Sequence, residues 1–373
     1  MRVTIVGAGI MGLSTAWALR HRGHAVTVVE RHTVPNPLGA SVDQHRLIRH
    51  AYGAMAGYGA MVADAYAAWD RMWADLGEIL YVETGTLCVG GAGQRWLHDS
   101  AETLARQGDA VEWLARADLE RRFAPVIWDP RDEAFRLPGG GVLLADRIVT
   151  RLAQHLASVG VPIRPDHAAV AVDPDGAAVT LADGRVLAAD RVVVAAGAWV
   201  GRLLPGVARR ITPSRQVAAY LRPPPDLAAA WAGMPMLLDI DPDRGFYLVP
   251  PVAGTTIKVG DHGFTLTGDP DRDRDAATAE AEALAEMCRG RLRDFDRFHL
   301  DSARTCFYTV APDERFVVEP FGPAGWVMTG FSGHGFKFGP LLGEAVADAL
   351  EGRRDPADLT RWAAGKSPLP AIG

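Results

Sequence analysis

The sequence has little lysine and little cysteine, and it lacks long apolar runs. Only three of its 39 basic residues are lysines, Lys258, Lys337 and Lys366, so arginine supplies nearly all the positive charge. Its three cysteines are too few and too scattered for a disulfide scaffold or a zinc site, which favours a reducing compartment, by default the cytoplasm. No apolar run approaches the length of about 18 residues that a transmembrane helix needs.

A strong charge of either sign is also missing. The chain of 373 residues carries 39 basic and 45 acidic side chains, a net charge of -6, and it has no basic block. We therefore expect no nucleic acid and no membrane as a partner. Hydrophobic residues make up 48% of the sequence, as in folded globular proteins, and the length suggests two or three domains.

The N-terminal segment predicts a strand, a helix and a second strand. Residues 2–6 are β-branched and apolar, as in a buried strand, and residues 25–30 repeat that pattern. Between them, residues 13–22 place apolar side chains at helical spacing. A βαβ unit of this kind opens doubly wound folds, so we predict an α/β protein with a mainly parallel sheet.

Gly7, Gly9 and Gly12 lie between the first strand and the helix with the spacing of a dinucleotide-binding motif. The first glycine permits a tight turn, the second lets the backbone approach a pyrophosphate, and the third lets helix and strand pack closely. Glu30 ends the second strand, where a carboxylate can bind the ribose diol. The motif predicts a bound dinucleotide and leaves both NAD and FAD open.

The rest of the chain alternates strands and helices without an internal repeat. Four apolar segments look like strands of one sheet: residues 2–6, 25–30, 191–195 and 325–330. Residues 123–144 contain three prolines and three consecutive glycines, and we predict that they are irregular.

We expect the cofactor domain to be discontinuous in sequence. Its expected segments are residues 1–90, 145–215 and 306–373. The substrate domain is then expected to comprise residues 91–144 and 216–305.

Four further segments carry chemically informative residues in a fixed order. They are Arg46-Leu47-Ile48-Arg49-His50-Ala51-Tyr52-Gly53, Ile257-Lys258-Val259-Gly260-Asp261-His262, Cys306-Phe307-Tyr308-Thr309 with Pro312-Asp313-Glu314, and Gly330-Phe331-Ser332-Gly333-His334-Gly335-Phe336-Lys337. With the N-terminal unit they resemble, over nearly the whole chain, the glycine/sarcosine/D-amino-acid oxidase family of flavoproteins, on its sarcosine oxidase and N-methyltryptophan oxidase branch.

The resemblance implies FAD and a two-domain α/β fold. It places a Rossmann-like FAD-binding domain around the mainly parallel sheet, and a substrate domain with a large mixed or antiparallel sheet beside it. The strand and glycine at 192–197 also resemble a segment with which flavoproteins close over FAD. The family further suggests a monomer.

In the family, a cysteine at the position of Cys306 bonds covalently to the 8α carbon of FAD. A thiolate is chemically suited to add to the electrophilic flavin methyl group. The resemblance therefore implies an 8α-S-cysteinyl FAD in this chain. The alternative is a structural cysteine, the usual role of a lone thiol.

Arg49 and Lys337 resemble the pair that binds the substrate carboxylate, and Lys258 resembles the lysine that promotes reaction with oxygen. A guanidinium fork suits a carboxylate, and a second cation strengthens the site. A positive charge near the flavin stabilises superoxide as the first electron leaves. Because the chain uses arginine almost everywhere, a remaining lysine is expected where a guanidinium does not serve.

Tyr308, Tyr247 and His262 match family positions that line the substrate pocket, and His262 is either a general base or a polar wall. A wider set is expected to contact FAD. Its members are Gly7, Gly9, Ile10, Met11, Gly12, Glu30, Arg31, Ser41, Arg46, Arg49, Ala196, Gly197, Trp199, Cys306, Phe331, Gly333, His334, Gly335, Phe336 and Lys337.

The implied activity is oxidation of the C–N bond of a secondary amino acid to an imine, with O₂ reduced to H₂O₂. The sequence departs from the family at residues 40–45, where a histidine-rich stretch is replaced, and at Ala54-Met55, where Glu-Gly is usual. These departures border the pocket and leave a cyclic amino acid, such as a pipecolate- or proline-like ring, open as the substrate. A dehydrogenase with another electron acceptor and a non-catalytic dinucleotide-binding protein remain further alternatives.

Overall fold

A computed structural model of the chain describes residues 1–240 and 245–370. Its strands are β1 Arg2–Val6, β2 Ala25–Val29, β3 Arg46–Ile48, β4 Tyr81–Glu83, β5 Thr86–Gly91, β6 Glu112–Trp113, β7 Asp132–Leu137, β8 Gly141–Leu143, β9 Ile163–Arg164, β10 Ala169–Asp173, β11 Ala178–Leu181, β12 Val186–Ala188, β13 Arg191–Val194, β14 Thr212–Arg222, β15 Met236–Asp239, β16 Phe246–Val249, β17 Ile257–Asp261, β18 His299–Val310, β19 Val317–Phe321 and β20 Gly325–Thr329.

The helices lie between these strands and after the last of them. They are α1 Ile10–His21, α2 Ala56–Leu76, α3 Arg95–Gln107, α4 Arg116–Arg122, α5 Ala145–Ser158, α6 Val200–Leu203, α7 Pro205–Ala208, α8 Ala228–Ala232, α9 Thr278–Arg291, α10 Gly339–Leu350 and α11 Pro356–Ala363. Short 3₁₀ turns cover Gly197–Trp199, Phe295–Arg297 and Phe336–Phe338. Among the described residues, none of these helices has both the length and the apolar character that a membrane crossing requires.

The first large sheet contains the predicted strands. Its order is β19-β20-β13-β1-β2-β9, and all neighbours are parallel except the edge pair β19 and β20. The prediction that 2–6, 25–30, 191–195 and 325–330 share one sheet is confirmed. Helix α1 follows β1 and is buried from Ile10 to Leu19, as expected of a helix packed on several sides.

The second large sheet has the order β18-β14-β17-β16-β15-β5-β7-β6. It is mixed, because β5 and β15 run parallel while the other pairs are antiparallel. The predicted α/β class, with a mainly parallel sheet and a large mixed sheet, is confirmed.

Strand register brings distant residues to one face of this second sheet. Cys306 lies opposite Gln216, and Lys258 lies opposite Tyr220. Gln216 and Tyr220 are an even number of residues apart on β14, and side chains on a strand alternate between faces. Cys306, Tyr220 and Lys258 therefore share a face. Tyr308, two residues after Cys306, shares it as well.

Two expectations about the middle of the chain need correction. Residues 123–144 are not wholly irregular, because they contain β7 and β8, with Pro138 and the glycines confined to the turn between them and the first residue of β8. Strand β5 at Thr86–Gly91 pairs with β7 and β15 in the second sheet, although all but its last residue lie in the segment 1–90 expected for the cofactor domain. The expected division into domains otherwise stays a prediction.

Candidate active site

The turn after β1 is a glycine cradle. Gly7 has a φ of +107°, in the region that favours glycine, and a Cβ there would lie 2.3 Å from the carbonyl oxygen of Ala195. A Cβ on Gly12 would lie 1.9 Å from the carbonyl oxygen of Gly7. The close packing of β1, α1 and β13 at this turn therefore requires glycine at both positions.

The start of α1 and the end of β2 face the same space. Gly9 gives α1 no side-chain cap, and the N–H of Ile10 donates to the Ser41 hydroxyl at 2.9 Å. Glu30 is buried, and its carboxylate accepts from the N–H of Ala8 and from the Asn36 amide, each at 2.9 Å. A positive helix end beside a buried acid is the arrangement that binds a phosphate and a ribose diol together.

A cavity of about 430 Å³ opens in front of this turn. It extends from Gly7 and Glu30 past Trp199 to Tyr308 and Phe331. Of the residues predicted to contact FAD, all but Gly12, Arg49, Cys306, His334 and Lys337 line it. The cavity is lined by the glycine turn and also by aromatic rings, and this combination suits a dinucleotide that carries a ring system.

A second, smaller cavity lies against the shared face of the second sheet. Cys306, Tyr247 and Lys258 line it, and Tyr308 and Arg46 line both cavities. The structure thus brings three predicted site residues from separate strands beside the end of the larger cavity. The Tyr247 ring covers Gly260, where a Cβ would lie 2.6 Å from the tyrosine hydroxyl.

Cys306 differs from the other two cysteines. Burial raises the pKa of the Cys88 and Cys288 thiols to about 12, so neither is a reactive thiolate. Cys306 is only half-buried and lies on a cavity wall beside Arg46, with which it interacts electrostatically.

Arg49 and Lys337 both lie against Tyr52. The Arg49 guanidinium carbon is 4.4 Å from the Tyr52 ring centroid, and Lys337 Nζ is 5.4 Å from it. Lys337 donates to the Tyr52 hydroxyl at 3.0 Å and to the His334 carbonyl at 2.8 Å. Among the described residues, neither cation forms an ion pair with a carboxylate, although Glu314, whose pKa burial raises, lies near enough to Arg49 for that charge to oppose the rise.

Burial lowers the pKa of both Lys337 and His262. It lowers the pKa of Lys337 well below its ordinary value, and the Arg49 charge lowers it further. It also lowers the pKa of His262 to about 4, again with a contribution from Arg49. His262 is therefore neutral near pH 7 and can accept a hydrogen bond.

Three comparisons identify what this chain is similar to. The sequence profile of the FAD dependent oxidoreductase family, DAO, matches residues 2–349. The chain belongs to this FAD-dependent oxidoreductase family. Among curated proteins, it is 27% identical to the peroxisomal sarcosine oxidase of Mus musculus, over 92% of this chain and 90% of that one. It is 26% identical to the N-methyl-L-tryptophan oxidase of Yersinia pestis (strain Pestoides F), over 96% and 97%.

Solved structures of flavoprotein oxidases share the fold. NikD, an amino acid oxidase of nikkomycin biosynthesis, superposes in its open form with a TM-score of 0.80 at 24% identity, over 99% of this chain and 95% of that one. The glycine oxidase of Bacillus cereus gives a TM-score of 0.80 at 19% identity, over 96% and 97%. At these identities the structures support the fold of the FAD-dependent oxidoreductases and nothing finer.

The residues present fit FAD. Gly7 and Gly9 line the cavity with backbone alone, and Glu30 supplies a buried acid just after the neighbouring strand β2. At the other part of the cavity, Tyr308 and Phe331 supply aromatic surface, and Cys306 adjoins it. These are the groups that a dinucleotide with a flavin ring requires of a member of this oxidoreductase family.

Sequence reasoning missed several residues of the site. Asp43 contacts Lys258 and Arg46 and accepts a hydrogen bond from Tyr220. Trp96 lies 5.9 Å from the Arg49 guanidinium and packs against Gly53. The spacing of Asp43 and Arg46 was no signal of a contact, because neither residue lies in a helix, and nothing in the sequence placed Trp96 beside Arg49.

A cluster at the outer part of the cavity was also missed. Asp271, on the chain between β17 and α9, accepts from the Trp199 indole at 2.7 Å and pairs with Arg31 at 3.3 Å and with Arg202. Arg31 also stacks on Trp199, with its guanidinium carbon 4.8 Å from a ring centroid. The predicted residues Arg31 and Trp199 are thus tied to a segment that follows the second sheet's β17.

Proposed function

We propose that this protein is an FAD-dependent oxidase of a secondary amino acid, N-methylated or cyclic, which it converts to an imine while O₂ becomes H₂O₂. Bound FAD would supply the redox chemistry: it would accept a hydride equivalent from the carbon next to nitrogen, the amine proton would leave to solvent, and oxygen would take up the two electrons with two protons as H₂O₂. The similarity to sarcosine oxidases and N-methyl-L-tryptophan oxidases supports this class of substrate.

The observation that carries the proposal is the pair of cations that lie against Tyr52. Among the described residues, neither Arg49 nor Lys337 forms an ion pair with a carboxylate, and Gly335 and Phe336, next to Lys337 in the chain, line the dinucleotide cavity. A carboxylate bound between the cations would place the rest of an amino acid beside that cavity. This fixes the orientation of the substrate and reduces the entropy cost of reaction.

Each residue of the pocket then has a separate task. The Arg49 fork binds the carboxylate, and Lys337 gains a proton as the negative charge arrives beside it. Neutral His262 accepts a hydrogen bond from the substrate amine. Tyr247 and Tyr308 wall the pocket and exclude water, and Lys258 provides positive charge where oxygen is reduced.

We also propose that FAD is attached covalently through Cys306. Its half-exposed thiol beside Arg46 supports this, whereas the other thiols are buried. A spectrum before and after acid precipitation tests it. Flavin should remain in the precipitate of the unchanged protein and of Cys288→Ser, and it should appear in the supernatant of Cys306→Ser. Free flavin from the unchanged protein would contradict covalent attachment.

A peroxide-coupled screen of N-methyl and cyclic amino acids tests the activity. We expect peroxide from at least one secondary amino acid and none from its methyl ester, because the ester lacks the carboxylate. Trp96, whose ring centroid lies 5.9 Å from the Arg49 guanidinium carbon, favours a ring-bearing substrate as the second candidate. Anaerobic flavin reduction without peroxide under air would instead show a dehydrogenase.

We further propose that the enzyme is a monomer, as the name of the monomeric sarcosine oxidase of Arthrobacter sp. (strain TE1826), 25% identical over 95% of this chain and 93% of that one, suggests. Sedimentation equilibrium of the purified protein tests this directly. A mass near 40 kDa supports the proposal, and a mass near twice that value contradicts it.

A further inference from the structure

Asp43 lies in the loop before β3 and is buried, with 5% of its surface exposed. One carboxylate oxygen accepts from the Tyr220 hydroxyl at 2.6 Å. The other lies 2.5 Å from Lys258 Nζ and also contacts the Arg46 guanidinium. A single buried acid therefore joins the cofactor side of the site to the second sheet.

The group formed by Asp43, Lys258 and Arg46 contains two basic side chains and one acidic side chain. Burial alone would raise the pKa of the Asp43 carboxyl group, but Lys258 and Arg46 beside it lower that pKa well below its ordinary value. Asp43 is therefore a carboxylate, and the three residues together carry one net positive charge. Without it, Lys258 and Arg46 would be two buried cations close together.

The position of Lys258 depends on the same contact. Its four-carbon stem starts opposite Tyr220 in the register of β14 and β17, and both side chains converge on Asp43. The ammonium lies in the small cavity, whose walls at Val42, Arg46 and Tyr308 are shared with the dinucleotide cavity.

We propose that Asp43 is the positioning residue for Lys258: its carboxylate holds the ammonium in an ion pair and directs it at the junction of the two cavities. The reaction with oxygen then depends on an acid that touches neither oxygen nor cofactor. This inference rests on the proposed role of Lys258 in the reaction with O₂.

Other titratable and charged groups face Asp43 and Lys258 from every neighbouring element. They are His45 and Arg46 from its own loop and β3, Arg147 from α5, Tyr220 from β14, Tyr247 from β16, and Cys306 and Tyr308 from β18.

Between pH 6 and 9 we expect none of the histidine and tyrosine side chains in this set to change charge. Burial lowers the pKa of His45 to about 3. It raises the pKa of all three tyrosines above the ordinary value. In the covalent holoenzyme, Cys306 has no free thiol.

Lysine labelled with ¹³C at Cε gives a direct readout, because the chain has only three lysines. Lys258→Met assigns the signal in the holoenzyme. In Asp43→Asn, the titration of the Lys258 signal should move down by about 2 to 3 pH units, because the ammonium has lost its counter-charge. Tyr220→Phe is the matched control, since it removes a hydrogen bond from the same carboxylate but keeps the ion pair, and it should leave the titration in place.

Oxygen kinetics give the second readout. Flavin reoxidation in Asp43→Asn should fall as pH rises from 6 to 9, by up to about tenfold per pH unit, while the unchanged enzyme stays flat. Asp43→Glu, which restores the carboxylate, should recover most of the rate. If Asp43→Asn yields no folded holoenzyme, Asp43→Glu replaces it in the test, and the Lys258 titration should then move in the same direction by a smaller amount.

Two contrary outcomes are distinguishable. An unmoved Lys258 titration in Asp43→Asn overturns the proposal whatever the oxygen kinetics show. A moved titration with normal reoxidation in both Asp43→Asn and Lys258→Met overturns the oxygen role of Lys258, and with it the claim that Asp43 serves that role.

Discussion

Lys258 and Lys337 are equally buried, with 5% and 4% of their surfaces exposed, but they lie in opposite electrostatic surroundings. Lys258 faces the carboxylate of Asp43. Lys337 meets only neutral acceptors, the Tyr52 hydroxyl and the His334 carbonyl, and the nearby charge of Arg49 repels it. One residue type at one degree of burial is thus prepared for two different tasks.

The difference shows what each lysine is suited to do. A lysine paired within the protein provides a charge that is present before any ligand arrives, as a reaction with neutral oxygen requires. A lysine without a counter-charge holds its proton weakly and binds it firmly when a carboxylate arrives. Burying Lys337 without a counter-charge lowers the stability of the protein, and it leaves an amine that is suited to bind an acid.

Removing Lys258 should have the largest effect on stability. Lys258→Met leaves Asp43 buried with only Arg46 as a cation, and breaking a buried pair on one side costs about 3 kcal/mol or more. Urea unfolding of the holoenzyme measures this loss. The double variant Lys258→Met/Asp43→Asn should recover part of this loss. If the single and double variants were equally stable, the broken ion pair would not be the cause of the loss.

Removing Lys337 should change stability in the opposite direction. Lys337→Met replaces a buried, unpaired amine by an apolar chain of similar length and should raise the free energy of unfolding by about 1–2 kcal/mol. The unfolded chain binds a proton at this lysine that the folded protein releases, so the unchanged protein gains stability as pH rises. The gain from methionine should therefore be larger at pH 6 than at pH 9. A loss of stability in Lys337→Met at pH 6 would contradict this description of Lys337.

The smallest expected effect is on carboxylate affinity. Because Lys337 takes up a proton when an acid binds, the affinity for acetate should fall with rising pH, by at most about tenfold per unit. Titration of the flavin absorbance with acetate follows this change. Lys337→Arg, whose side chain stays charged, should bind acetate with little pH dependence, and a slope equal to that of the unchanged enzyme would assign the proton to another group.

The sequence predicted those parts of the fold that are determined by residues close together in the chain. The glycine turn, Glu30 and the strands of the first sheet follow from spacing and apolar character within short windows. Strands β7 and β8 escaped prediction because their proline and glycine turn masks two short strands whose partners lie elsewhere in the chain.

Asp43 escaped prediction for a different reason. Its hydrogen bond to Tyr220 spans 177 residues and its contact with Lys258 spans 215. A lone aspartate in a loop is ordinarily solvated, and only the register of β14 with β17 brings its two partners together. The residue lies in the segment where the sequence departs from its family, so the departure itself was the available signal.

The central claim is that the two buried lysines serve different half-reactions, and anaerobic stopped-flow kinetics test it most directly. Lys258→Met should slow reoxidation by O₂ about 10²- to 10³-fold and leave flavin reduction by substrate within severalfold of normal. Lys337→Met should do the reverse, weakening substrate binding and slowing reduction while reoxidation stays normal. If both variants slowed the same half-reaction, or if Lys258→Met reoxidised at the normal rate, the division of labour between the lysines would be wrong.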